Sequence, residues 1–180
     1  MKRALALCLG LLAGCAHPGP VAPNIALTDQ RGSLWQLSEQ RGKVVAVYFG
    51  FTHCADTCPA TVAKLTTAIR AQGAKAADAE IAFVTVDPQR DTPAVLARWV
   101  ARFSGATIVG LTGTPAQIEA TEHAYHVWAQ RLPAAHGSYD YDEAHTAIVF
   151  VIDRSGYITS MADDADTLET VTGDLRKALQ

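Results

Sequence analysis

From about residue 24 onward, apolar positions fall into short strand-like runs separated by stretches with helical spacing. Ile25–Leu27 and Leu34–Leu37 flank the polar segment Asp29–Gly32, which predicts a β-hairpin. Gly42 and Lys43 lead into Val44–Phe49, an unbroken apolar run rich in β-branched residues, as a strand buried on both faces requires. Val62, Leu65 and Ile69 then repeat at helical spacing, and Ile81–Val86 reads as a second buried strand. Thr92-Pro93 opens a second helix, with Thr as N-cap and Pro at the first position. Its apolar face is Val95, Leu96, Trp99, Val100 and Phe103. Thr107–Leu111 is a short strand. Thr114–Gln117 is a capping box, and Ile118, Tyr125, Trp128 and Leu132 predict a third helix running to about residue 132. A strand over Ala147–Ile152, a turn at Asp153–Gly156 and a strand over Tyr157–Thr159 follow, and a last helix runs from about Asp166 to Leu179. Trp35, Trp99 and Trp128 all fall at core-like positions.

This order predicts an α/β fold, a thioredoxin-like three-layer sandwich with an N-terminal β-hairpin extension. Composition agrees. The 180 residues are 49% hydrophobic and 18% charged, enough to bury a core and too apolar for a disordered chain. A net charge of −3, with no basic run beyond Lys2-Arg3, argues against a nucleic-acid binder.

The first residues have a logic of their own. Lys2-Arg3 precede the apolar run Ala4–Leu12, which is too short to span a bilayer and reads as an export signal. Leu12-Ala13-Gly14-Cys15 resembles the lipobox of bacterial lipoproteins, in which the cysteine is acylated and becomes the first residue. The expected organisation is a signal over residues 1–14, a lipidated tether over 15–23 and a folded domain over 24–180. The membrane partner is then met through lipid on Cys15.

Cys8 leaves with such a signal and Cys15 carries lipid, so only Cys54 and Cys58 remain. In an oxidising compartment a close pair of this kind is a structural disulfide, a redox pair or a soft-metal site. The first adds little, because the loop it closes is tiny. The pair directly follows the central strand, where ligands gather in open α/β folds. The next helix turns its positive end toward the pair, so one thiol should have a depressed pKa.

The segment Tyr48-Phe49-Gly50-Phe51-Thr52-His53-Cys54-Ala55-Asp56-Thr57-Cys58-Pro59 resembles the cysteine motif of the Sco/SenC family. So do Val86–Pro93, Gly110–Gly113 and the opening Leu27–Asp29, Gly32, Leu37 and Gly42-Lys43, all in the family's order and spacing. The resemblance implies a thioredoxin-like fold and membrane anchorage facing the bacterial periplasm, in the inner rather than the outer membrane. It also implies copper, as Cu(I) or Cu(II), carried in the service of cytochrome c oxidase assembly. The implied partner is the oxidase's copper-site subunit or another periplasmic copper protein. The family's third ligand, a late histidine, maps onto His145 in Tyr141-Asp142-Glu143-Ala144-His145-Thr146. Cys54, Cys58 and His145 are thus the implied metal ligands, with Cys54 and Cys58 also a redox-active pair. Glu143 and Ala144 depart from the family's usual Val and Asp, and losing the Asp should loosen the orientation of the imidazole. Two thiolates and an imidazole suit copper independently, whereas structural zinc and iron–sulfur clusters normally take four protein ligands.

The other histidines read more plainly. His53 fits the motif without having to face a metal; His123 and His126 stand three apart on the expected third helix; His17 falls in the tether and His136 in a loop. Asp87, Arg90 and Asp91 follow a strand end, either as a turn and helix cap closed by an ion pair or as a polar docking surface. Three functions fit the pattern. A copper metallochaperone needs Cys54, Cys58 and His145; a thiol–disulfide oxidoreductase needs only the cysteines. A peroxidase of peroxiredoxin type lacks its upstream proline here, the nearest being Pro23.

Overall fold

A computed structural model describes residues 19–133 and 141–180. The expectations on Cys8, Cys15, His17 and His136 lie outside the described residues. The elements, in chain order, are β1 (Ala26–Asp29), β2 (Leu34–Gln36), β3 (Val44–Gly50), α1 (Thr57–Arg70), β4 (Ala79–Thr85), α2 (Pro93–Val100) and β5 (Thr107–Thr112). There follow α3 (Pro115–Ala124), β6 (Ala129–Pro133), β7 (Tyr141–His145), β8 (Val149–Ile152), β9 (Ile158–Ala162) and α4 (Leu168–Ala178).

Seven strands form one sheet in the order β2-β1-β5-β4-β3-β8-β9. β3, β4 and β5 run parallel, and β8 pairs antiparallel with β3 through Tyr48↔Val149 and Val45↔Ile152. The apolar run of β3 is explained by this central place, since every residue from Val44 to Gly50 is buried. Alternation then sorts the layers. Tyr48 and Phe83 face α1 and α2, where Phe83 stacks on Trp99 at 4.4 Å. Phe49 faces the other way, against Tyr125 just past α3 and Phe150 of β8. Helix α4 packs beside α1. The result is the three-layer, thioredoxin-like sandwich, with β1–β2 added as a hairpin. Its turn is held by Asp29, whose carboxylate accepts the Arg31 and Ser33 amides, and by Gly32 at a φ of 83°.

The third helix is shorter than its apolar spacing implies. It stops at Ala124, and His126 takes a φ of 54°. The Val127 amide donates to Glu122 O at 2.9 Å and the His126 amide to His123 O at 3.1 Å, a Schellman closure with histidine where glycine is usual. Trp128 and Leu132 therefore belong not to a helix but to a two-stranded ribbon, in which β6 pairs β7 from Ala129↔His145 to Pro133↔Tyr141. Trp128 is 55% exposed, so it is not a core residue; Trp35 and Trp99 are buried. His126 lies past the helix end, so His123 and His126 do not form a helical pair.

Candidate metal and thiol site

The two cysteines sit where a strand becomes a helix. β3 ends at Gly50, and the chain turns through Phe51–Asp56 before α1 begins at Thr57. Gly50 must be small, because a Cβ there would lie 3.0 Å from Cys58 Sγ and 2.9 Å from the Phe83 ring. Asp56, at the N-cap, makes no side-chain cap. Cys54 takes that role: its sulfur accepts the backbone N–H of Cys58, the second helical residue, at 3.3 Å. Both cysteines are free thiols; Cys58 is buried and Cys54 half-buried.

This arrangement separates the two sulfurs chemically. The Cys58 thiol donates to Cys54, and backbone N–H groups of Cys58 and Asp56 add to it, so the Cys54 pKa falls from 9.0 to about 5 despite partial burial. Cys58, which gives that hydrogen bond and is desolvated, is pushed far up. The sequence expectation of one depressed thiol thus falls on Cys54. Beneath Cys58 the Tyr48 hydroxyl donates to its sulfur at 3.6 Å.

His145 arrives from the ribbon. It ends β7, where Thr146 N donates to Trp128 O at 2.9 Å and Trp128 N donates to Thr146 Oγ1 at 3.1 Å. Its Nε2 lies 3.6 Å from Cys58 Sγ, and its Nδ1 lies 3.2 Å from Thr146 O. A carbonyl can only accept, so Nδ1 carries the proton and Nε2 presents its lone pair to the sulfur. Burial lowers the His145 pKa and keeps the ring neutral. Phe51 and Tyr48 wall the ring edge-on, at 5.8 Å and 6.4 Å between centroids. The carbonyl of Thr146 thus supplies the orienting contact that Ala144 cannot. Among the described residues no three His, Cys, Asp or Glu side chains form a ready-made metal cluster. Cys58 and His145 approach as a pair, and Cys54 joins through Cys58.

The remaining candidates divide. His53 turns its Nδ1 to Thr52 Oγ1 at 3.2 Å and stands 3.7 Å from an Asp91 carboxylate oxygen. Asp87 and Asp91 are fully buried, which rules out a docking role for them. Asp87 pairs with the Arg90 guanidinium, as the turn reading holds. Asp91 is not a helix cap; Thr92 is. Asp91 clamps the cysteine loop, accepting the Thr52 amide at 2.9 Å, the Thr52 hydroxyl at 2.5 Å and the Thr85 hydroxyl at 2.7 Å.

The SCO1/SenC family model matches residues 16–180. The chain belongs to the SCO1/SenC family. It is 33% identical over 156 residues to the bovine mitochondrial SCO2 homolog, covering 86% of this chain but 58% of that protein. The chain thus spans under two thirds of that relative's length. Among solved structures, Bradyrhizobium japonicum ScoI with copper bound is 33% identical, with a TM-score of 0.77 over 88% of this chain and 99% of that one. Arabidopsis thaliana ScoI with copper bound is 25% identical, with a TM-score of 0.80 over 89% and 98%. Within this SCO1/SenC chain, the sequence pattern places Tyr48 in the buried central strand and Phe51 in the cysteine motif without marking either as a wall of the site, and it does not foretell the ribbon. Strict alternation along β3 was the available signal for Tyr48, since it places that ring on the α1 face, under Cys58.

Proposed function

We propose that this chain is a copper-carrying protein of the cell envelope that serves copper-centre assembly of cytochrome c oxidase, with Cys54, Cys58 and His145 as the copper ligands. The observation that carries this reading is the approach of His145 Nε2 to Cys58 Sγ at 3.6 Å, with the Cys54 sulfur beside them, accepting the Cys58 amide at 3.3 Å. One metal ion bonded to both atoms would span that distance at ordinary bond lengths. Thiolate and neutral imidazole are donors that suit copper. Relatives solved with copper bound support the same cargo. When bound, copper is the cargo; the protein's own residues supply donors, orient the imidazole through Thr146 O, and wall the site with Phe51 and Tyr48. The cell-envelope reading rests on the signal at residues 1–14 and on lipid at Cys15, followed by the tether over 15–23 and the domain over 24–180. No helix among the described residues is long and apolar enough to cross a membrane.

A second reading, thiol–disulfide exchange with a partner's copper-site cysteines, is favoured by the asymmetry of the thiols. The Cys54 thiolate would attack a partner disulfide and release one partner thiolate. Cys58, losing its proton, would then attack the mixed disulfide, leaving a Cys54–Cys58 disulfide and freeing the second partner thiol. The first experiment is an anaerobic Cu(I) competition titration of the reduced chain beside His145→Ala. One tightly held copper per chain, bound at least tenfold more weakly by the variant, is expected. Affinity indifferent to His145 would defeat the three-ligand site and leave exchange as the function.

A further inference from the structure

A phenol hydroxyl in an apolar core needs a hydrogen-bond partner, and phenylalanine would fill the same space without that demand. Tyr48 is 0% exposed. Its O–H donates to Cys58 Sγ at 3.6 Å, and Thr61, one turn along α1 from Cys58, lies beside the same hydroxyl. The hydroxyl is thus held between α1 and the Cys58 sulfur. The Tyr48 ring also meets the His145 ring edge-on, at 68° and 6.4 Å. One side chain therefore contacts two of the three proposed copper ligands from beneath. Its neighbour Phe49, on the opposite face of the sheet, meets the rings of Tyr125 and Phe150.

We propose that Tyr48 is a positioning residue of the copper site, which it tunes by donating a hydrogen bond to the Cys58 sulfur; this rests on the copper reading above. A hydrogen bond draws charge from a thiolate and weakens its donation to the metal. Cu(II) depends on that donation more than Cu(I) does, so the contact favours the reduced ion. It also fixes which lone pair of the sulfur faces His145. The rest of β3 buries hydrocarbon; at Tyr48 the strand adds an electronic control to the packing.

The test loads the purified reduced chain with Cu(II) and with Cu(I), and compares it with Tyr48→Phe, Thr61→Val and Phe49→Leu. In Tyr48→Phe the sulfur-to-copper charge-transfer band should move to longer wavelength. The ratio of Cu(II) to Cu(I) affinity should rise about tenfold, a fall of about 59 mV for a one-electron couple. Thr61→Val keeps the phenol but removes the polar group beside it, and should move both readouts the same way by less. Phe49→Leu should lower Tm and move neither readout, which separates tuning from mere stability. Should Tyr48→Phe fail to fold, Thr61→Val decides alone. An unchanged band and ratio in the folded variants would overturn the role of Tyr48 and leave the copper reading intact. A wild-type chain with no such band and no tight Cu(I) would overturn both.

Discussion

At the level of single residues, the site is made by close approach. Gly50 is the clearest case, because its missing Cβ leaves room for the Cys58 sulfur and the Phe83 ring. Gly50→Ala should cost about 1–3 kcal/mol, as overpacked cores do, and should weaken copper binding by moving Cys58. An unchanged urea midpoint would show that the sulfur has slack. The Cys54 thiol titrates near pH 5 instead of 9.0, so its alkylation rate should stay flat from pH 9 down to about 6 and then fall. Buried Cys58 should react slowly throughout. Linkage follows with a definite sign. The folded pKa of Cys54 is depressed, so its contribution to stability is full above pH 9.0 and is lost as pH falls toward about 5. The cysteine pair was legible in the sequence because its residue type, spacing and place after the central strand carry chemistry, whereas His145 was expected only from the family resemblance. The proton arrangement was not legible, because it depends on a backbone carbonyl, Thr146 O, which any residue would supply.

Among the elements, the one that departs from the sequence pattern is the one that delivers His145. Ile118, Tyr125, Trp128 and Leu132 fit a helical period, yet Trp128, Gln130 and Leu132 fit a strand's alternation equally well. The signal that would have separated them, glycine or asparagine at the helix end, is absent, since His126 takes the left-handed position. The strands β3, β4 and β8 were readable because they are short apolar runs rich in β-branched residues, too short for helices. The ribbon, largely exposed along β6, leaves no such trace. It meets α3 across a carboxylate contact. Burial, with Glu143 and Glu119 nearby, raises the Glu122 pKa from 4.5 to about 7, and Glu143 is itself held by Arg131 at 3.5 Å. A raised carboxyl pKa means stability lost as pH climbs from 4.5 through 7, opposite in sign to Cys54 over the shared range. Glu122→Gln should therefore stabilise the protein at pH 7 and above, with the gain vanishing near pH 4.5. Denaturation midpoints read across pH would show it, and a gain independent of pH would place the effect elsewhere.

On the scale of the whole molecule, the sheet separates the segment that enters the domain from the site. β3 points its carboxyl end at the cysteine loop. β8 runs back antiparallel, and β9 begins beside its far end, at Ile152↔Ile158. The chain enters the domain there. Val21 bridges Tyr157, Pro20 O accepts Ile158 N at 2.9 Å, Ala22 N donates to Gly156 O at 3.0 Å, and the Tyr125 hydroxyl donates to Pro23 O at 2.7 Å. Cys15 precedes Gly19 by four residues, which span at most about 14 Å even when extended. Lipid on Cys15 would thus hold the Val45 end of the sheet near the bilayer and turn Cys54, Cys58 and His145 outward, toward partners in the surrounding compartment. If Cys15 carries the proposed lipid, Cys15→Ala should move the protein from the membrane to the soluble fraction while Cu(I) affinity stays unchanged, because the chain enters the domain at the end of the sheet opposite the site. Retention of that variant on membranes would defeat the lipid anchor. A fall in its copper affinity would mean that the two ends are coupled through the sheet.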